Sequence, residues 1–193
     1  MGEISKIFEN VFNIHDENCL SEVEGEAKLR DYKKGEIAVM QGETPTHIPF
    51  IVKGSFWGYS IDGSGSCFTD CITDFYGCPV TAVSEPENFL KPSEVSFEAL
   101  EDSSAVLVPV SIILRIVMAY PEAAEAMNRI ILIGFQYHRN FQYMNSLPIY
   151  KRYMTFCELY PELSARLNKS SIAACLNVSL PALSRALSDA AHT

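Results

Sequence analysis

The chain has 193 residues, 48% of them hydrophobic, and a formal net charge of −9. That length and apolar content suit one large domain with a small one beside it, and so acidic a chain is not a whole-surface binder of nucleic acid. The most apolar run, VPVSIILRIVMAY, is broken by Arg115 and too short to span a bilayer, which excludes a membrane partner through this segment.

The N-terminal MGEISKIFENVF is polar and mixed in charge, unlike a secretory signal. The six cysteines (Cys19, Cys67, Cys71, Cys78, Cys157, Cys175) are scattered through a chain with ample core-forming residues. A cytoplasmic location with reduced thiols is therefore expected. The charge is unevenly spread. Residues 1–147 carry 10 Lys+Arg against 21 Asp+Glu, a balance of −11, and residues 148–193 carry 5 against 3, a balance of +2. Only the C-terminal tail has a sign compatible with phosphate, and so small an excess calls for a dimer to give useful affinity.

In chain order, apolar positions at helical spacing (Ile7, Val11, Ile14) open the chain, followed by a polar stretch. From Tyr32 the texture changes. Glycine turn signals (KKGE, QGET, VKGS, IDGSGS, FYGC) separate short runs rich in β-branched and aromatic residues: IAVM, HIPFIV, SFWGYSI, CFTDCITDF, VSFEAL and SAVLVPV. This spacing predicts an antiparallel β-roll or barrel, without the strand–helix alternation of a doubly wound sheet. After Pro109 a short helix runs to Pro121. From Glu122 to Ser146 the apolar positions Ala123, Met127, Ile130, Gly134, Tyr137, Phe141 and Met144 are separated by alternating steps of four and three. Such a seam marks a helix packed lengthwise on something. A core helix lying on the β-roll satisfies it, and so does a homodimer helix, which is the preferred reading because the seam is sustained and sits between two domains. Leu147-Pro148 is a natural boundary, and the remainder reads as all-helical.

The stretch KSSIAACLNVSLPALSRAL, 169–187, has the layout of a helix-turn-helix. Ser170 or Ser171 can cap the first helix. Ile172, Ala173 and Leu176 face inward, Asn177-Val178-Ser179 makes the turn, and Pro181 sits in the first turn of the second helix, where a missing N–H costs nothing. Leu183 and Leu187 pack back. An ordinary helical hairpin is the plainer alternative.

A β-roll, a heptad-like helix and a C-terminal helix-turn-helix in this order resemble the Crp/Fnr family of bacterial transcription regulators. YKKGEIAVMQGETPTHIPFIVKGSFWGYSIDGSG and PSEVSFEALEDSSAVLVP resemble the family's roll, and RYMTFCELYPELSARLNKSSIAACLNVSLPALSRAL its DNA-binding end, with IAACLNVS and LSRAL the most specific pieces. The resemblance covers roughly residues 30–188 and implies an α+β chain: a cyclic-nucleotide-binding-like antiparallel β-roll of the jelly-roll type (1–120), a dimerisation helix (121–147) and an all-helical helix-turn-helix domain (148–193). It implies a non-enzymatic homodimer on operator DNA, an effector in the roll, and RNA polymerase as a further partner.

Two departures shape the functional expectation. Cyclic-nucleotide members of the family use a Phe-Gly-Glu step and an Arg after a Pro. Here the matching steps are Phe75-Tyr76-Gly77-Cys78 and Pro92-Ser93-Glu94, lacking both carboxylate and arginine. A cyclic phosphate would meet Glu94 without a counter-ion, so the effector pocket, with candidates Tyr76, Gly77, Cys78, Ser93 and Glu94, is expected to take another small molecule or none. On the tail, the early recognition-helix positions are Leu180, Pro181 and Ala182. Leu180 is expected to pack inward or against sugar, Ala182 to meet a thymine methyl, Arg185 to donate to guanine or grip phosphate, and Ser170, Ser171, Ser179 and Ser184 to supply further donors. The dimer contact is assigned to Met127, Ile130, Gly134, Tyr137, Phe141 and Met144. No metal cluster or catalytic triad is indicated: the histidines are dispersed and the cysteine spacing is not C-x-x-C, so no cofactor is expected. The rival functions are a ligand-binding or protein-interaction module whose tail no longer reads DNA and, more weakly, a metal-dependent β-roll enzyme.

Overall fold

In a computed structural model, which describes residues 2–81 and 91–191, the chain begins with two helices, α1 (Glu3–Phe12) and α2 (Glu17–Glu26). Ile4, Ile7, Phe8 and Phe12 fall on one face of α1 and all are buried. The Asp16 carboxylate caps α2 by accepting the Cys19 N–H at 2.8 Å.

Among the described residues, seven antiparallel strands then build the roll. One sheet has the order β1 (Lys28–Tyr32), β7 (Ser103–Pro109), β3 (His47–Lys53). The other has the order β2 (Ile37–Val39), β6 (Ser96–Ala99), β4 (Phe56–Ile61), β5 (Cys67–Thr73). Tyr32, Ile51, Phe56, Phe97 and Ala105 fill the space between the sheets. The six strands anticipated from apolar runs are present. β1 is an addition: its sequence KLRDY is exposed at four of five positions and pairs with β7 through its backbone, so it carries no apolar alternation that a sequence reading could detect.

Both outer faces of the roll are covered. Phe50, Val106 and Val108 pack under α1, α2, α3 (Val110–Ala119) and the first half of α4 (Pro121–Asn145). Pro121 ends α3 and opens α4, where its missing N–H breaks no bond. Trp57, Ile72 and Leu100, on the other side, join a cluster with the end of α4 and three tail helices, α5 (Ile149–Leu159), α6 (Pro161–Arg166) and α7 (Lys169–Cys175), and the last helix, α8 (Leu180–Ala191), packs on α5 and α7. A bulge in β5 helps to shape this. Gly58 pairs with Cys71 and Tyr59 with Thr69, leaving Asp70 without an opposite residue.

The seam of α4 faces its own chain. Met127, Phe141 and Met144 are fully buried, and Ile130, Gly134 and Tyr137 are partly covered, against β5 and the tail. Met127, Phe141 and Met144 are thus occupied within their own chain, whereas Ile130, Gly134 and Tyr137 keep part of their surface exposed. A four-three repeat records that a helix lies along an apolar surface, and here the chain itself supplies that surface. The outward face of α4 instead carries Leu132 and Phe135, each 70% exposed, and Tyr143.

Candidate nucleic-acid interface and sensor cavity

The tail forms its helix-turn-helix from local interactions. Asn168 caps α7, its side-chain oxygen accepting the Ser171 N–H at 2.9 Å. Asn177 makes the turn in the left-handed region, at φ 53°, a conformation Asn tolerates better than most residues. Ser179 caps α8, accepting the Ala182 N–H at 3.3 Å. Ile172, Ala173, Leu176 and Leu183 are buried between the helices. Ser170, Ser179, Ser184 and Arg185 are exposed and Ala182 is half-buried, all on the surface that α7 and α8 present to solvent. Ser171 departs from its expected role: it is buried, its hydroxyl lacks a hydrogen-bond partner, and Asn168 one turn earlier does the capping. Leu180 does not pack inward: it stands 41% exposed, which leaves the alternative of a sugar contact open.

Two of the tail's five basic side chains hold the structure together. Arg152 donates to the carbonyls of Leu176 at 2.7 Å, Asn145 at 2.9 Å and Leu147 at 3.1 Å, binding the end of α4 to the turn. Burial pushes its pKa down. Arg166 pairs with Glu101 of the roll at 2.8 Å. Lys151, Lys169 and Arg185 remain as exposed cations.

The turn is also clamped to the roll. The Thr69 hydroxyl donates to the Cys175 carbonyl at 2.7 Å and accepts from Trp57 Nε1 at 3.0 Å. The Thr69 N–H donates to Asn177 Oδ1 at 3.2 Å. Sequence inspection offers no signal for this clamp, because it joins residues more than 100 positions apart.

Beside the clamp, α4 and β5 enclose a cavity of about 290 Å³. Asp70, Cys71, Ile72 and Thr73 of β5 line one side, with Phe75, Cys78, Pro79, Thr81, Glu94 and Val95. Met127, Ile130, Ile131, Ile133, Gly134, Phe135, Tyr137 and His138 of α4 line the other. His138 Nδ1 lies 2.9 Å from Asp70, and Tyr137 donates to Asp74 at 3.0 Å. Burial, with the Asp74 carboxylate, pushes the Tyr137 hydroxyl up, and burial pushes the Cys71 and Cys78 thiols up, so all three stay protonated.

No protein-family model and no curated protein matches the sequence. Solved structures do. FixK2 from Bradyrhizobium japonicum is 17% identical with a TM-score of 0.68, over 86% of this chain and 85% of that one. A protein described as a transcriptional regulator of the Crp/Fnr family from Eubacterium rectale is 16% identical with a TM-score of 0.72, over 93% and 85%. The c-di-GMP responsive global regulator CLP from Xanthomonas campestris is 11% identical with a TM-score of 0.66, over 92% of both chains. The chain has the Crp/Fnr fold.

Within this Crp/Fnr fold, the pocket candidates divide. Cys78 and Glu94 line the cavity. Tyr76 turns away, its hydroxyl donating to Glu3 Oε2 at 3.2 Å. Gly77, at φ 75°, packs under α1, where a Cβ would come within 2.5 Å of Val11. Ser93 is tied to its own loop, donating to the Val95 carbonyl at 2.6 Å. The expectation for Tyr76, Gly77 and Ser93 is thus corrected. Tyr76 and Gly77 pack against α1, the Ser93 N–H donates to the Glu43 carbonyl at 2.9 Å, and the cavity lies toward α4. Four of the supposed dimer residues (Met127, Ile130, Gly134 and Tyr137) are cavity wall. Among the described residues, no Lys or Arg lines it.

Proposed function

We propose that the protein is a homodimeric DNA-binding transcription regulator whose roll responds to a small molecule other than a cyclic nucleotide. The observation that carries this reading is the tail surface: a capped, left-handed-turned pair of helices with Ser179, Ser184 and Arg185 exposed on the entering helix. In this reading residues 1–120 sense, 121–147 dimerise and 148–193 bind DNA. α8 enters the major groove, Arg185 contacts guanine or phosphate, Ala182 meets a thymine methyl, and Ser170 and Ser179 contact the backbone. Ser171 is left out, since its hydroxyl is buried. Dimerisation uses the outward strip Leu132, Phe135 and Tyr143 rather than the inward seam.

Regulation follows from the continuity of α4. One face of this helix lines the cavity at Ile130, Gly134 and Tyr137 and plugs the tail core at Phe141 and Met144. Tyr137 and Phe141 both stack on Tyr160 of the tail, at 5.3 and 6.0 Å. An effector that shifts α4 re-aims α8 and so biases the half-site spacing of the dimer.

A mobility-shift titration on DNA from upstream of the protein's own gene tests the reading. Expected is a shift that falls steeply with salt and is weakened in Arg185→Ala, with Leu132→Glu yielding monomers by light scattering. A stable dimer with no shift on any upstream DNA would favour a module whose tail does not read DNA.

A further inference from the structure

The cavity between β5 and α4 has features that specify its occupant. Its 290 Å³ volume is at the small end of ligand pockets. Ile72, Val95, Met127, Ile130 and Ile131 make its walls predominantly apolar. At Gly134 an added Cβ would meet no atom within 4 Å, so the helix leaves the space open at its middle. Thr73 is 9% exposed, lines the cavity and has a hydroxyl with no hydrogen-bond partner. A buried hydroxyl left unpaired is unfavourable, and a ligand group can satisfy it.

The charges are one-sided. Asp70 and Glu94 are the acidic groups of the lining, and no Lys or Arg stands among its described residues. His138, the remaining titratable nitrogen, is engaged on both ring nitrogens, by Asp70 at 2.9 Å and Gln142 at 3.0 Å. An anion entering here would be desolvated beside carboxylates without a cation. A protonated nitrogen would find Asp70 and Glu94 as counter-charges and the Thr73 oxygen as an acceptor, while an apolar body filled the rest. The buried thiols of Cys71 and Cys78 are held protonated and add neither charge nor nucleophile.

We infer that this cavity binds a small, largely apolar amine. The inference rests on the reading of the roll as a sensor and names the chemistry of what it senses.

Calorimetric titration of the full chain with phenylbutylamine, phenylbutyrate and cyclic AMP tests it, since the first two share a skeleton and differ in charge. Expected is saturable binding of the amine, at least about tenfold weaker binding of the carboxylate, and none of cyclic AMP. Gly134→Leu, which fills the space, should abolish amine binding. Thr73→Val, which keeps the shape, should weaken it at an unchanged or slightly raised melting temperature and serves if the leucine variant fails to fold. The inference is overturned by equal or tighter binding of phenylbutyrate, by saturable cyclic AMP binding, by no saturable amine binding, or by a folded Gly134→Leu protein that binds the amine as before. DNA binding measured on the same samples separates the two readings. Amine binding without any DNA binding sinks the regulator reading alone, and DNA binding without amine binding sinks this inference alone.

Discussion

The helix-turn-helix and the cavity between β5 and α4 are assembled by opposite rules. The caps and the turn of the tail motif are specified within a few residues: Asn168 to Ser171, Ser179 to Ala182, and the left-handed Asn177 between them, and the Thr69 clamp then fastens the motif to the roll. The cavity depends on contacts such as Asp70 to His138, which are 68 positions apart. The helix pair is therefore specified locally and seated on the roll by a shared core, whereas the cavity is a product of how α4 lies on the roll. What joins them is α4 itself, whose buried face belongs to both.

The sharpest way to break this comparison is Phe141→Ala. Phe141 sits on α4 but is fully buried in the tail core. Its truncation should cost about 3–5 kcal/mol in urea unfolding and loosen the tail and the end of α4 together. A cost under about 1 kcal/mol would mean that the tail stands on its own.

The pH dependence of stability probes both regions at once. Burial raises the thiol pKa values of Cys71 and Cys78 by the cavity and of Cys175 in the tail above the ordinary 9.0. A raised folded pKa stabilises fully below the unfolded value and progressively less above it. Stability should therefore hold to about pH 9 and then fall by up to about 1.4 kcal/mol per pH unit for each such thiol. Melting curves of Cys71→Ala and Cys175→Ala should each show a shallower alkaline decline. A flat profile to pH 10.5 would contradict the burial of all three.

Smaller effects sharpen the local half of the comparison. Asn168→Ala should destabilise by about 1 kcal/mol through loss of the cap, whereas Ser171→Ala should be neutral or slightly stabilising because its hydroxyl is buried without a partner. The reverse order in thermal unfolding would restore Ser171 as the cap. Gly134→Ala should stabilise by about 0.5–1 kcal/mol, since a helical glycine gains rigidity and the new methyl enters open space. A loss of stability would show that the cavity wall at Gly134 is closed.

The same division explains what could be read from the sequence. Six strands, the helix beginning at Pro121, the break at Leu147-Pro148 and the turn at Asn177-Val178-Ser179 follow from apolar period and turn chemistry, which are local. β1 was illegible because KLRDY is an exposed edge held by backbone bonds. The seam of α4 was legible as a seam, but its partner was not, because Met127 or Phe141 would show the same spacing against a second copy or against its own roll. Ser170, Ser171 and Asn168 are all competent caps, and the entry angle of the chain into α7 selects among them. Of the cavity, Cys78 and Glu94 were visible through the resemblance. Asp70 and Thr73 were not, since a bulge decides which way β5 turns them.

The central claim, that the tail grips DNA, is tested most directly by fluorescence anisotropy of the full chain on DNA from upstream of its own gene, titrated across salt concentration. Three exposed cations per protomer, Lys151, Lys169 and Arg185, predict for a dimer a log–log slope of about −5, with Arg185→Ala reducing its magnitude by about 2. A slope near zero, or a slope unchanged in Arg185→Ala, would contradict the account.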